Sequence, residues 1–463
     1  MHPPILVEAE RLEKEGNHKE AAKLYDRLLS QNEENPILLA AAACPLLHDQ
    51  DTLGLAIVLF HASIRLYKER GEKPPIEALV NLGIAYKTSG QYDKAKEWFG
   101  KAVQQEPEHP GALSNYGCMF IESESPEKGK ALLERAVKSD PSLAMAHWNL
   151  GLSLIASAHK DDNWKRAWEE YEWGQVEGGM RVKKKIVSTP DWDGTKGQKV
   201  MVSGEQGIGD EIMFASMLPD LIRDSREVIL DCHPRLTTLF EKSFGLKCYP
   251  TRKEKQADWL DVEKPDAMIQ IGSLGKFYRQ KRSDFTGEPY IKAESAPRGE
   301  KFRVGISWTG GKLAKRVATR TVPLSWWDTI LTNDCEFVSL QYTDGAEAEI
   351  DAVRAARGHQ IRQEPAATAH DYYELAKFVK SCDLIITVCT SLVHLAGALG
   401  VPTWVMVPRH PAWRYQNSGP MPWYKSVRLY RQPEADTGAW IPVVQRIALD
   451  LSDTLAARER KAA

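Results

Sequence analysis

The chain has 463 residues, 43% of them hydrophobic and 27% charged, with a formal net charge of −2. That length predicts about three domains at roughly 150 residues each, and the near-neutral balance argues against general electrostatic binding of nucleic acid. No apolar run reaches the roughly 20 residues needed to span a bilayer. The first residues turn acidic and helical without a secretory h-region, and the seven cysteines lack CxxC spacing, so neither a zinc site nor a disulfide framework is expected. A reducing cytoplasm is the simplest compartment.

The N-terminal third carries an internal repeat. Its clearest copy runs from Glu77 to Pro110, with Leu79, Leu82, Gly83, Tyr86, Ala95, Phe99, Ala102 and Pro107 as markers. Thirty-four residues on, the same slots hold Leu113, Tyr116, Gly117, Phe120, Gly129, Leu133, Ala136 and Pro141. Ala56 and Phe60, and before them Ala21 and Tyr25, mark earlier copies; a later one opens at Leu150 and Gly151 and closes near Ala167 and Tyr171. Small residues let paired antiparallel helices approach, and large ones fill the space between them. This pattern resembles the tetratricopeptide repeat, over about residues 2–173. Such units bury their apolar faces only against neighbours, which gives a solenoid. The resemblance implies either a groove that takes a peptide or protein, or a rigid spacer or dimerisation arm; Asn81, Lys87, Asn115 and Asn149 present amides and charge to a peptide backbone or are solvated surface.

A basic, then turn-rich stretch follows, VKKKIVSTPDWDGTKG, and the reading places repeats at 1–175 and a linker at 176–197. Lys199 to Val202 reads as a strand. After it, Gly204, Gly207 and Gly209 form a glycine-rich turn that leads into an amphipathic helix with Ile212, Met213, Met217 and Leu218. Glycine permits positive φ and close backbone approach to a ligand. The spacing is not GxGxxG, so no dinucleotide fingerprint is present. Asp210 stands at the helix start, as an acid favoured by the helix dipole or as a general base at a cleft. Further strands are expected at 227–231, 246–249 and 267–271, completing a half-domain over 198–296.

A second half-domain over 297–463 opens with the strand FRVGISW and a basic loop ending near Arg320. Its most informative stretch is DLIITVCTSLVHLAGALGVPTWVMVP, Asp383 to Pro408. Leu384–Val388 reads as a strand buried on both faces; Leu392, Leu395, Ala396 and Leu399 as a helix stopped by Gly400 and Pro402; and Thr403–Val407 as a second strand. Ligands in such βαβ units gather at strand carboxyl ends and helix N-termini, where free N–H groups favour an anion. Thr390 and Ser391 therefore form a diphosphate seat or an ordinary helix cap. Arg320 suits a bidentate phosphate contact. Gln341, at a strand end, is expected to face the cleft and meet a nucleobase. Glu347 and Glu349 lie on a solvated helix face or reach a ribose. His394 is a core histidine or a donor contact, and Arg409, His410, Trp413 and Arg414 form a loop that closes on the donor or packs the last helix.

The strand–GxGD–helix–LP arrangement (Gly207, Gly209, Asp210, Leu218, Pro219), GISW followed by Arg320, and VCTSLVHLAGALGVPTWVMVP together resemble the lipopolysaccharide heptosyltransferase family over about residues 164–450. The resemblance implies an α-solenoid followed by a GT-B glycosyltransferase of two Rossmann-like halves. It implies Asp210 as catalytic base, with Gly209, Thr309, Arg320, Gln341, Thr390, Ser391 and His394 around a nucleotide-sugar donor. Where the family usually has Asp, this chain has Cys389, which cannot supply that charge as a thiol. Neither a cofactor nor a metal is expected. The function so read is transfer of a sugar from a nucleotide-sugar to an acceptor, a protein recruited by the repeats; the alternative is a non-catalytic scaffold with a degenerate transferase domain.

Overall fold

The computed structural model describes residues 4–30, 34–121, 123, 125–175, 180–181, 189–252, 254, 258–311, 317, 319–433 and 439–462. The chain packs as two compact units, Met1–Ser153 and Leu154–Ala463. Among the described residues no helix is long and apolar enough to cross a membrane.

The first unit is a run of helices: α1 (Pro4–Lys14), α2 (His18–Leu29), α3 (Pro36–Ala43), α4 (Leu53–Glu69), α5 (Ile76–Thr88), α6 (Tyr92–Gln105), α7 (Pro110–Ile121) and α8 (Pro126–Ser139), then the start of α9 (Ala144–Asp161). α1 packs on α2, α3 on α4, α5 on α6 and α7 on α8. The repeat markers Leu82, Ala95, Phe99, Ala102, Leu113, Leu133 and Ala136 are fully buried. Apolar residues spaced by helical turns on both members of each pair produce this packing, and a helical solenoid is what the spacing predicts. Of the expected groove residues, Lys87 is exposed and Asn149 half-buried. Asn115 Nδ2 donates within its own helix to Gly111 O at 2.9 Å, and Asn81 Nδ2 reaches Cys44 Sγ at 3.4 Å.

The second unit begins with the rest of α9 and with α10 (Trp164–Glu172). The repeat pattern counts α10 in its last copy. Here Trp164, Trp168 and Tyr171 are buried among Phe214, Phe285, Trp413 and Trp423 of the α/β elements, and Trp168 Nε1 donates to Arg279 O at 2.8 Å. Arg181 ties the same region together: it donates to Glu205 Oε1 and Oε2 at 2.7 and 2.8 Å and to Glu172 Oε1 at 2.8 Å. Half of the expected linker, 176–197, lies outside the described residues.

Two parallel sheets follow. The first comprises β1 (Lys199–Ser203), β2 (Glu227–Asp231), β3 (Lys247–Tyr249) and β4 (Ala267–Gln270), in the order β3-β2-β1-β4. The second comprises β5 (Arg303–Ser307), β6 (Glu336–Ser339), β7 (Ile361–Gln363), β8 (Leu384–Val388), β9 (Thr403–Val407) and β10 (Val427–Arg431), in the order β10-β9-β8-β5-β6-β7. β5 and β8 are buried along their whole length, as helices on both faces of a parallel sheet require. Both orders reverse direction beside the first strand of the sheet, between β1 and β4 and between β5 and β8. In open α/β sheets, ligands bind outside the carboxyl ends of the strands at such switch points.

Candidate functional site

Two helices start at those switch points. α11 (Ile208–Phe214) follows β1, and α19 (Ser391–Ala398) follows β8; numbering between them runs α12 (Leu218–Asp224), α13 (Thr237–Phe244), α14 (Trp259–Glu263), α15 (Gly275–Tyr278), α16 (Asp328–Leu331), α17 (Ala346–Arg357) and α18 (Tyr372–Lys380). The N-termini of α11 and α19 meet. A Cβ on Gly209 would lie 3.1 Å from His394 Cδ2 and 3.3 Å from Ser391 Cα, so a side chain here would press on both. The positive φ of the turn belongs to Gln206, at 61°, and to none of its glycines.

Between the two sheets lies a cleft of about 480 Å³, lined by Gly209, Asp210, Arg320, Thr390, Ser391 and His394 among others. Six of the eight expected site residues, far apart in the chain, are thus on one wall or the other. Thr390 caps α19, its hydroxyl accepting from Leu392 N at 3.3 Å, while Ser391 Oγ lies 3.0 Å from the Tyr372 hydroxyl. Gly310 lies so close to this turn that a Cβ there would clash with Thr390 Cγ2, and Gly311 beside it lines the cleft. Arg320 has neither a hydrogen bond nor an ion pair with any described residue.

Asp210 sits in the first turn of α11, its Oδ2 accepting from Gly207 N at 3.2 Å. Its Oδ1 takes Nε and Nη2 of Arg414, which comes from the loop after β9. This ion pair bridges the two halves. Burial of Arg414 opposes its charge and Asp210 favours it, with the net result that its pKa rises. The neighbouring Glu211 is buried behind this wall; burial pushes its carboxyl up to about 8, against the opposing pull of Arg252. Burial and the charge of Arg414 push His394 down to about 3, so its imidazole is neutral, with Nδ1 3.1 Å from the Tyr424 hydroxyl. Cys389 is also buried, its thiol pushed up to about 11 and in contact with Met406 O at 3.7 Å.

Two expectations are corrected. Gln341 does not face the cleft. It is fully buried, with Oε1 accepting from Ser307 Oγ, Trp308 N and Thr309 N at 2.9, 3.0 and 3.2 Å and Nε2 donating to Thr309 O and Thr343 Oγ1 at 3.1 and 2.9 Å. A side chain with every polar group engaged has nothing left for a nucleobase; it fixes the loop after β5. Thr309 is set back too, its backbone held by Gln341 and its hydroxyl bonded to that of Thr321. Glu349 accepts from Trp308 Nε1 at 2.9 Å, and Glu347 and Gln341 line a separate hollow. The cleft also contains Arg235, Arg252 and Tyr372, which sequence reasoning passed over. Arg235 and Arg252 follow the strands β2 and β3 and Tyr372 opens α18, and no local motif marks them.

Residues 76–109 match the family model of the tetratricopeptide repeat. The chain contains tetratricopeptide repeats. Protein FlbA of Caulobacter vibrioides is 27% identical over 416 residues, 83% of this chain and 68% of that protein. Photosystem I assembly protein Ycf3 of Prochlorococcus marinus is 28% identical over 93 residues, 19% of this chain, and the match spans 51% of Ycf3. Among solved structures, a MamA RS-1 double mutant is 21% identical over 36% of this chain and 89% of its own, at a TM-score of 0.30. YrrB, described as a TPR protein with an unusual peptide-binding site, is 17% identical over 37% of this chain and 82% of its own, at a TM-score of 0.28.

Proposed function

We propose that the second unit is a GT-B glycosyltransferase, working in the cytoplasm, that moves a sugar from a nucleotide-sugar to a protein held by the repeats. One observation carries this reading: Asp210 on the first half and the Thr390–Ser391 turn with Arg320 on the second line a single cleft. Sugar transfer needs a base near the acceptor hydroxyl and donors for the leaving diphosphate. The N-terminus of α19 offers free N–H groups and a favourable dipole. Arg320 adds a guanidinium with no competing carboxylate among the described residues. These groups meet the charge on the leaving group, and in this reading no metal is required of them. Asp210 takes the acceptor proton as the bond to the sugar forms, once the substrate displaces Arg414 from one of its oxygens.

The second reading is a scaffold in which the α/β unit is no longer catalytic. The Asp210–Arg414 pair favours it, because a carboxylate held by a guanidinium on the opposite half also serves as a structural tie. Cys389, a neutral thiol in the cleft wall, favours it as well. Thermal-shift screening against nucleotide-sugars separates the two, since a ligand that binds the folded state raises apparent stability. A stabilising donor whose effect is lost in Arg320→Ala supports the transferase. If no nucleotide-sugar shifts the transition, the scaffold is the better reading.

A further inference from the structure

The cleft carries more positive charge than a leaving diphosphate engages. Four arginines, Arg235, Arg252, Arg320 and Arg414, face one carboxylate, Asp210, in a chain whose net charge is −2. Arg414 is neutralised by Asp210. Cys389 adds no negative charge, because burial keeps it a thiol. Arg320 stands with the α19 turn on the second half. Arg235 and Arg252 stand on the first half, just beyond β2 and β3, on the wall that contains Asp210.

Arg235 has no anionic partner among the described residues, and Arg252 has one N–H left open. Arg235 donates through Nε to His370 O at 2.9 Å and through Nη2 to Ala369 O at 2.8 Å, and its guanidinium lies 4.7 Å over the Tyr372 ring; every partner is neutral. The Arg252 side chain is 8% exposed and pairs through Nη1 with Glu211. Its buried Nε has no hydrogen-bond partner among the described residues. Burial pushes the Glu211 carboxyl up against the pull of Arg252, and this single contact leaves the rest of the guanidinium free to meet an anion. A buried guanidinium N–H without an acceptor is costly, and a bound anion removes that cost.

We propose that the first-half wall, built from Arg235 and Arg252, is a second anion seat. It takes a carboxylate or phosphate that the substrate carries besides its leaving diphosphate. This rests on the glycosyltransferase reading, and it makes the substrate acidic, either in the transferred sugar or in the acceptor. The two arginines hold that group beside Asp210.

Calorimetry on the full-length chain tests both seats separately. Inorganic pyrophosphate reads the leaving-group seat; inorganic phosphate added to the pyrophosphate-saturated chain reads the second. Arg320→Gln should weaken pyrophosphate about tenfold or more and spare phosphate. Arg252→Gln and Arg235→Gln should weaken phosphate about tenfold or more and spare pyrophosphate. Should Arg252→Gln fail to fold, Arg235→Gln alone decides. If the saturated wild type binds no phosphate, or if Arg235→Gln leaves phosphate affinity unchanged, the second seat is overturned while the first stands. If pyrophosphate does not bind, the glycosyltransferase reading itself fails. Given a second seat, glucose 1-phosphate and glucuronic acid 1-phosphate assign its source. Tighter binding of the uronic acid, erased in Arg252→Gln, puts the anion on the sugar; equal binding puts it on the acceptor.

Discussion

Asp210 and Glu211 are neighbours in sequence with opposite surroundings. Asp210 faces the cleft and Arg414; Glu211 is turned inward, fully buried, with His233 N donating to its Oε2 at 2.9 Å. The raised Glu211 pKa has a consequence for stability. Its ordinary value of 4.5 becomes about 8 in the fold, so between those values the folded chain binds the extra proton. The stability this contributes is fully present below about 4.5 and is lost as pH rises through about 8. Across that window the melting temperature of the wild type should fall relative to that of Glu211→Gln, and parallel pH profiles for the two would refute the assignment. At Gln341, replacement by Leu strands buried N–H groups of the loop after β5. The expected loss is at least about 1–3 kcal/mol, measured by denaturant unfolding, with any effect on donor binding arising only through that loop. A variant as stable as wild type would return Gln341 to a ligand-contacting role.

At the scale of elements, the contact between α11 and α19 positions the site. Gly209→Val places three carbons against Ser391 and His394 and should press the helices apart. Overpacking of this kind costs about 1–3 kcal/mol, and donor affinity should fall with it; unchanged binding and melting would mean that the two N-termini do not set the cleft. α10 is the second such element. Trp168 is buried against Phe214 and Trp423, so Trp168→Ala should cost about 3–5 kcal/mol in the unfolding of the α/β unit. If it destabilises only the repeats, α10 has been assigned to the wrong unit.

These elements also show what the sequence could reveal. The GxGD turn, the buried β8 run and the α19 cap are local patterns, each written within a few residues, and they led to five of the cleft residues; Arg320 came from the basic loop after β5. The Asp210–Arg414 pair joins positions 204 apart in the chain, and Arg235 and Arg252 reach the wall only because β2 and β3 lie in one parallel sheet. Periodicity does not encode such contacts. Gln341 was misplaced for a related reason: β6 ends one strand away from the switch point, and the amide turns back to bind the loop after β5. The last repeat copy was legible as a helix pair, while its burial among aromatic residues from 214 to 423 was not.

For the whole molecule, the account assigns acceptor recruitment to the repeats and transfer to the α/β unit, with Asp210 as the group on which chemistry depends. Asp210→Asn keeps the size and hydrogen-bonding shape of the side chain and removes its basicity. The most direct measurement is therefore turnover with a nucleotide-sugar that binds, compared between wild type and Asp210→Asn at matched donor occupancy. The account predicts equal donor affinity and a fall in rate of about 10²–10⁴-fold. A wild type that transfers no sugar from any donor it binds, with partner binding the same in Asp210→Asn, would contradict it.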